Sequence, residues 1–485
     1  MNKLTVDQLK PLAALIRKPA PIRKGELVEF LTKTLLNPVK LRKLYEALDA
    51  TSQAAVQEAV HADDNMLDLE RFQAKHSRLP DLGQSEWGRN RQPTQLKLFF
   101  PGYQLVLPYD LQALLEEFVP EPVELKAAGK DELPATVRRP HLDLGSSYWK
   151  PDLEEVELTV RPTARAALHD VMAVLRLIDA GEVRVSDKIH RPSGAAMKAV
   201  AAILMDGEYY QDGDRSKYER DPGYDLSIKA FAWPLLVQAA GLAETAGTKL
   251  QLTATGRKAT TRPPHEVIRQ LWEKWQKTTL LDEYNRIEVI KGHQGSGRGG
   301  LTAVAARREA LVEVLATCPA HQWMSTEELF RLLKASARGF QISRDPWKLY
   351  ICEQRYGSLG YDARYTWEAL QGRFTLAFLF EYAATLGLID VAYIPPTGSR
   401  NDFHDRWGTD DFTCLSRYDG LMYLRINSLG AWCLGLADKY QPEAVAVNRV
   451  LKVVPNLDVV AANPPLSPAD VLFLDRFAER KSDAV

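Results

Sequence analysis

Apolar residues recur at helical spacing along most of this chain, and short alternating runs interrupt them. Residues 161–182 carry apolar side chains three and four positions apart and reach Gly181, which predicts a helix that stops at a glycine. The segment "VSDKIHR" predicts a short second helix with Ser186 as its N-cap, and "PSGAAMKAVAAIL" predicts a third helix capped by Ser193. Three helices joined by short turns form the core of a helix-turn-helix unit.

A predicted β-hairpin follows these helices, and its pattern returns further along the chain. Residues 241–244, "GLAE", lead through a strand to Gly256, and residues 387–390, "GLID", lead through a strand to Gly430. Both copies follow an apolar helix, and such a recurrence indicates one architecture used twice. A hairpin after three helices is the wing of a winged helix. We therefore predict two winged-helix units in tandem, residues 161–262 and residues 301–440 with a long insertion in the second wing.

The predicted fold class is mainly α with small β-hairpins (α+β), in a multi-domain tandem winged-helix architecture. A chain of 485 residues has room for several such modules. The other predicted segments are a basic two-helix module, a helical module with short strands, a linker or arm, a connector helix with a glycine-rich basic loop, and a tail. They span residues 1–43, 44–122, 123–160, 263–300 and 441–485.

Composition excludes some classes of protein and favours few. The four cysteines have no C-x-x-C spacing, so a zinc ribbon is excluded and a disulfide framework is not expected. Without a long apolar run at the start or elsewhere, neither a signal peptide nor a membrane span is expected, which predicts a cytoplasmic protein.

Charge is informative only where it is local, because the net charge is −1. Residues 1–43 hold ten Lys or Arg against three acids, and phosphate backbones attract such a cluster. The candidate contacts there are Arg17, Lys18, Arg23 and Lys24.

The N-terminal segment resembles a SAP module, a helix–extended–helix unit that binds DNA. The matching residues are Leu4, Val6, Leu9 and Lys10, followed by Arg23, Lys24, Gly25, Leu27 and Val28. A two-helix dimerisation or docking unit is the alternative interpretation.

The tandem units resemble the winged-helix regions attached to bacterial helicase-related proteins. The tail, "RVLKVVPNLDVVAANPPLSPADVLFLDRFAERKS", is similar to a helicase-associated domain related to the N-terminal region of the repair helicase XPB. The resemblance implies association with DNA-translocating machinery and a tail module that a partner protein completes. It implies no activity of the chain itself.

Two segments invite a catalytic interpretation. In "GHQGSGRGG", Gly292 and Gly297 fit a phosphate-binding loop, but Arg298 stands where the lysine belongs and Gly299 where the hydroxyl residue belongs. The segment "NDFHDRWGTDD" offers metal-ligand types, for which a solvated loop is the simpler interpretation. These residues are Asp402, His404, Asp405, Asp410 and Asp411. We predict no cofactor.

Two groups of residues are candidate nucleic-acid contacts in the winged helices. In the first unit, positive charge and small residues surround a helix start, which suits phosphates more than base edges. The residues are Arg184, Lys188, His190, Arg191, Ser193 and Lys198. In the second unit, "RDPWKLYICEQRYGSLGYDARYTW" interleaves aromatic and basic residues, which suits stacked bases. Its basic residues are Arg344, Lys348, Arg355 and Arg364, and the glycine-rich loop adds Lys291 and Arg298. The alternative for the first group is a surface that packs on another protein, and the alternative for the second is a packed elaboration in which arginines lie on aromatic rings.

The expected function is that of a non-enzymatic DNA-binding accessory subunit with little sequence preference. Its expected partners are DNA (duplex, forked or single-stranded) and a separately encoded helicase, ATPase or nuclease acting in DNA processing, repair or genome defence. The alternatives are an interaction scaffold whose winged helices contact protein, and a cryptic metal-dependent nuclease.

Overall fold

The computed structural model divides the chain into two compact units. The smaller comprises Met1–Lys126 and Arg331–Gly339, and the larger comprises Ala127–Phe330 and Phe340–Val485. The structure describes all residues except 2, 17–18, 84–92, 103, 141–152, 212–213, 215–225, 294–299, 337–338, 362–365, 404–405, 411, 443–450, 463–464 and 480–485.

Six helices build the N-terminal part of the smaller unit. They are α1 (Val6–Ile16), α2 (Lys24–Leu35), α3 (Pro38–Glu46), α4 (Ala50–Val60), α5 (Leu69–His76) and α6 (Tyr109–Glu116). Side-chain caps fix where three of them begin, since Asn37, Asp49 and Asp68 accept hydrogen bonds from the first backbone N–H groups of α3, α4 and α5. The apolar faces of all six helices share one buried core, to which the first two helices contribute Leu9, Leu27 and Leu31.

The larger unit holds ten helices and twelve strands among its described residues, counting α13, which runs into the smaller unit. The helices are α7 (Ala164–Asp179), α8 (Gly194–Ile203), α9 (Lys229–Ala239), α10 (Ala254–Ala259), α11 (Pro264–Trp275), α12 (Val304–Leu315), α13 (Thr326–Ala335), α14 (residues 368–383), α15 (Ser428–Cys433) and α16 (Pro468–Leu474). Helix α14 contains two π-helical segments, Glu368–Gly372 and Phe378–Ala383.

The strands are short and every pairing between them is antiparallel. They are β1 (Thr136–Pro140), β2 (Leu153–Glu157), β3 (Thr159–Arg161), β4 (Ala243–Ala246), β5 (Lys249–Leu252), β6 (Ile290–Lys291), β7 (Trp323–Ser325), β8 (Tyr350–Ile351), β9 (Ile389–Tyr393), β10 (Leu421–Ile426), β11 (Leu451–Val453) and β12 (Val459–Ala461). One sheet has the order β3-β9-β10-β7, and the others are the pairs β1-β2, β4-β5, β6-β8 and β11-β12. The predicted combination of helices with small antiparallel sheets is confirmed.

One order of elements occurs twice in the larger unit. The first repeat runs α7, an extended segment at residues 183–185, α8, α9, β4 and β5. The second runs α12, β7, α13, α14, β9 and β10. In both, the last strand lies between the other two, because residues 183–185 hydrogen-bond to β5 and β7 pairs with β10.

The two repeats also close in the same way at atomic detail. Gly241 and Gly387 end the third helices with φ of +68° and +75°, a conformation that favours glycine. The fourth helices then begin so close to the preceding strands that a Cβ on Gly256 or Gly430 would lie 1.9 Å from a backbone oxygen, that of Leu242 or Leu388 respectively. The recurrence seen in the sequence is therefore a recurrence of backbone geometry.

The third helix of each repeat is buried. Nine of the eleven residues of α9 are buried, and fourteen of the sixteen residues of α14. The two helices pack against each other, and Arg286 fastens them by stacking 3.6 Å from the Phe231 ring and donating to Glu381 at 3.1 Å. These helices therefore form the shared core of the two repeats.

The C-terminal helix α16 lies against the first repeat. It packs on α7 and α8, where Arg176 stacks on Phe473 at 4.6 Å and Arg476 pairs with Asp179 at 3.3 Å. Among the described residues, every helix is too short or too polar to cross a membrane.

Candidate nucleic-acid interface

The N-terminal candidates lie at the start of α2. Arg23 and Lys24 are exposed, and Arg23 stands at the N-cap position without a side-chain cap hydrogen bond. Arg17 and Lys18 fall outside the described residues. The helix dipole adds to the charge of these two exposed cations, whereas the exposed Glu26 in the same first turn opposes it.

The segment "VSDKIHR" is a hairpin turn, so the prediction of a helix there was wrong. Val185 pairs with Pro192 across the turn, and Ser186 N–H donates to the Arg191 carbonyl at 2.8 Å. His190 adopts a φ of +56°, which a helix does not allow. The predicted third helix is α8, and its N-cap is confirmed because the Ser193 hydroxyl accepts from Ala196 N–H at 3.2 Å.

Three of the first-unit candidates have structural roles. The Ser193 hydroxyl is occupied by capping α8, and the His190 carbonyl accepts from Gln238 at 3.1 Å. Burial, followed by the charge of Arg286, lowers the pKa of Arg191 from its usual value. These three side chains are only partly exposed. They are therefore poorer candidates for a phosphate than the exposed cations.

The remaining first-unit candidates are exposed, and the sheet adds a residue that sequence reasoning missed. Arg184 lies directly opposite Lys249 in the pairing of residues 183–185 with β5. We call this pair the cationic ladder. Lys188 lies in the adjacent turn and Lys198 on α8, and both are exposed. The signal for Lys249 was present, since it follows the turn of the predicted hairpin, but its partner depends on a register that the sequence alone does not show.

The second group of candidates meets around one hairpin, residues 347–361, which we call the aromatic hairpin. Strand β8 pairs with residues 357–359 through hydrogen bonds of Ile351 N–H to Gly357 O and of Leu359 N–H to Leu349 O. On its other side Tyr350 pairs with Lys291 of β6, and close by Arg344 N–H donates to Gly300 O. Both flanks of the glycine-rich segment therefore lie beside this hairpin. Arg298 and Arg364 fall outside the described residues.

Four large aromatic side chains are exposed on and beside the aromatic hairpin. Trp347, Tyr356, Tyr361 and Trp407 are 55%, 51%, 61% and 55% exposed. Trp347 meets Tyr361 at the base of the hairpin with ring centroids 4.9 Å apart, and Tyr356 meets Trp407 near its tip at 5.5 Å. Trp407 was missed because its segment was read only for metal ligands.

Basic side chains accompany these rings. Arg344, Lys348 and Arg355 are exposed, and the Arg355 guanidinium lies 5.3 Å from the Tyr356 ring centroid. Lys348 pairs with Asp345 at 3.3 Å, an ion pair that solvent weakens. Lys291 donates to the Glu288 carbonyl at 2.9 Å and is also exposed. His293, two residues after Lys291, is buried and is not available to a phosphate.

The structure describes two of the five candidate metal ligands, Asp402 and Asp410. Asp402 receives two hydrogen bonds from the buried Arg373, at 2.7 and 2.8 Å. Burial raises the pKa of Asp402, but the charge and hydrogen bonds of Arg373 outweigh burial and hold the pKa below its usual value. Asp410 is exposed, while His404, Asp405 and Asp411 fall outside the described residues. Within the described part of the chain, no three His, Cys, Asp or Glu side chains are grouped to hold a metal ion.

Comparison with protein-family models, with curated proteins and with solved structures finds no match to this chain.

Proposed function

We propose that this chain is a DNA-binding accessory protein without catalytic activity, built on two winged-helix units that contact the phosphate backbone with little sequence preference. The twice-used order of helix, strand, two helices and hairpin supports the winged-helix assignment. In both copies the strand after the first helix joins the hairpin and pairs with its last strand. These are the connections of a helix-turn-helix core with a wing.

The observation that carries the DNA-binding proposal is the cationic ladder. Like charges directly opposite each other in a sheet are destabilising. Neither Arg184 nor Lys249 has an ion pair within the described part of the chain. The equivalent position of the second repeat holds Ser325 opposite Tyr423, so the fold itself does not require two cations there. A bound phosphate would offset their repulsion.

The burial of α9 and α14 supports contact with the backbone rather than with base edges. In helix-turn-helix proteins the helix before the wing enters the major groove and reads the bases. Here those helices face each other in the core, so exposed side chains of the strand, the turn and α8 are what remain to touch DNA. Phosphate contacts fix position and carry no direct sequence information.

A separately encoded helicase, ATPase or nuclease, working in DNA processing, repair or genome defence, remains part of the proposal. It is supported by the resemblance of the tail to a helicase-associated domain. The hairpin β11-β12 adds an observation, because it is two-stranded and exposes Val453, Leu457 and Val460. An isolated two-stranded hairpin is marginally stable, so a partner that extends it is a reasonable expectation.

The same observation favours a second candidate, an interaction scaffold that contacts only protein. Buried third helices and an exposed apolar hairpin suit protein contacts as well as they suit an accessory role. The two candidates differ in one measurable respect. A scaffold has no affinity for DNA at low salt.

Fluorescence anisotropy of a labelled duplex of about 25 base pairs, titrated at several salt concentrations, tests the proposal. The variant Arg184→Ser/Lys249→Tyr places the residues of the second repeat into the first. We expect duplex affinity to fall about ten-fold or more, and the slope of log affinity against log salt to flatten by about 1.8, which is 0.9 for each lost phosphate contact. The control Lys274→Ser/Lys277→Tyr removes the same charge from exposed positions on and after α11. Equal affinity and slope in wild type and ladder variant would refute the proposal, and no duplex binding at all would favour the scaffold.

A further inference from the structure

The aromatic hairpin has no counterpart among the described residues between α8 and α9 of the first repeat. It lies between α13 and α14 of the second repeat, and Trp407 lies between β9 and β10. The hairpin is an ordered element, since Ser358 Oγ donates to the Trp347 carbonyl at 2.9 Å and Cys352 Sγ donates to the Gly408 carbonyl at 2.9 Å. These bonds hold the base and the tip in place.

The rings of the hairpin keep apolar surface in water. Trp347 and Tyr361 meet edge to face at an interplanar angle of 70°, and Gly360 also packs against the Trp347 ring, which nevertheless stays 55% exposed. Tyr356 and Trp407 are tilted by 46°. Two pairs of half-exposed aromatic side chains, one at the base and one near the tip of the hairpin, leave apolar surface exposed of the kind that marks a binding site.

Exposed cations accompany both ring pairs. Arg355 lies over Tyr356 near the tip, while Arg344 and Lys348 flank Trp347 in the sequence. Arg344 and Arg355 form no ion pair with any residue that the structure describes. The described acids close to these rings in the sequence include Asp345, which pairs with Lys348, and the exposed Glu353 and Asp410. Positive charge interleaved with aromatic faces complements a ligand that alternates anionic groups with flat apolar groups.

We propose that the aromatic hairpin binds single-stranded nucleic acid, with bases stacked on its rings and phosphates beside Arg344 and Arg355. The chemistry of this surface is that of sequence-tolerant single-strand binding, which combines stacking platforms with a positive groove. A duplex does not suit it, because paired bases are stacked on each other and their faces are not accessible. Proline-rich peptides also pack on aromatic rings, but they offer no partner for the two unpaired arginines. This inference is independent of duplex binding at the cationic ladder.

Anisotropy with labelled 20-mers of oligothymidylate and oligouridylate, beside a duplex, tests the proposal on the full chain. The stacking variant is Trp347→Ala/Tyr356→Ala/Tyr361→Ala. Its matched control, Trp347→Phe/Tyr356→Phe/Tyr361→Phe, keeps three rings and removes only the hydroxyls and the indole. Far-ultraviolet circular dichroism and the urea unfolding midpoint establish that both variants keep the wild-type fold.

We expect the alanine variant to bind the single strands about 30-fold more weakly, which corresponds to two stacked bases at ~1 kcal/mol each. The phenylalanine control should stay within about three-fold of wild type, and duplex affinity should be unchanged in both. Comparison of the two single-stranded probes distinguishes DNA from RNA as the source of the ligand.

Single-strand affinity that is equal in wild type and alanine variant would overturn this inference and leave the duplex proposal standing. The absence of single-strand binding would also overturn it. Binding of a proline-rich peptide would then indicate a protein partner. If the Arg184→Ser/Lys249→Tyr variant loses duplex binding and keeps single-strand binding, the two sites are separate.

Discussion

Alanine at Gly256 or at Gly430 should destabilise the larger unit, although the change adds a single methyl group. A Cβ at either position would lie 1.9 Å from a backbone oxygen, that of Leu242 or that of Leu388. A close carbon–oxygen contact in proteins is about 3.3 Å, so the two groups must move apart by about 1.4 Å. Backbone on both sides limits that movement.

The size of the destabilisation follows from the hydrogen bonds that the displaced carbonyl oxygen accepts. The Leu242 oxygen accepts from Thr253 N–H at 3.0 Å and from Thr253 Oγ1 at 3.3 Å, and the Leu388 oxygen accepts from Asn427 N–H at 3.3 Å. Overpacking costs ~1–3 kcal/mol, and one lost hydrogen bond adds ~1 kcal/mol. We therefore expect each alanine to lower the free energy of unfolding by ~2–4 kcal/mol.

Urea unfolding followed by tryptophan fluorescence measures this effect in the correct unit. Trp87 is the one tryptophan before residue 127, and eight of the ten tryptophans lie among the described residues of the larger unit and report on it. Gly194→Ala is the matched control, because it adds a methyl group at the start of α8 with no atom within 4 Å. That control should be neutral or stabilising by up to ~1 kcal/mol.

Two outcomes would count against the reasoning. The free energies of unfolding of Gly256→Ala and Gly430→Ala could both lie within about 1 kcal/mol of wild type while the control behaves as expected. In that case the strand and the helix do not approach each other as closely as described. If only one of the two destabilises, the repeats do not close in the same way.

Two further predictions concern buried polar groups of the larger unit. Arg308→Lys should lower the free energy of unfolding by ~3–5 kcal/mol in the same urea assay. The reason is that an ammonium cannot replace the guanidinium donors that reach Glu283 and the carbonyls of Trp275, Thr278 and Leu281. A loss below ~1 kcal/mol would contradict this hydrogen-bond network. Burial lowers the pKa of His293 in the folded protein below its usual 6.5. The stability that the neutral, buried His293 contributes is therefore fully present above pH 6.5 and is lost as the pH falls towards the pKa of the folded state. Wild type should therefore lose stability relative to His293→Gln between about pH 7.5 and 5.5, whereas a constant difference in urea midpoint would show that His293 does not titrate there.

The recurring order of elements was predictable from sequence because local backbone requirements fix its glycines. A glycine that ends a helix with positive φ and a glycine that admits a carbonyl oxygen recur with apolar residues between them. Capping by Ser193 was equally local and was confirmed. The short helix at "VSDKIHR" was predicted wrongly, since a partner strand about 60 residues away, at Lys249, decides that conformation.

The burial of α9 has a clear signal in the sequence. The segment "KAFAWPLLVQA" of α9 is apolar on every side, and such a helix is buried all round. By contrast, the pairing of Asp402 with Arg373, 29 positions away, has no sequence signal. An acidic segment that looked like metal ligands is therefore partly committed to an internal ion pair.

Burial of both third helices constrains where a ligand can bind. A winged-helix unit ordinarily contacts DNA with its third helix, and in this chain those two helices form the core that joins the repeats. Contacts must then come from the rim of a repeat or from additions to it. The rim of the first repeat holds the cationic ladder, and two segments of the second hold four exposed rings, near which Arg344 and Arg355 form no ion pair with any described residue. Aromatic rings exposed to water do not provide the stabilisation that their burial would bring. Such a surface is expected where the side chains serve binding to a partner and not the stability of the fold.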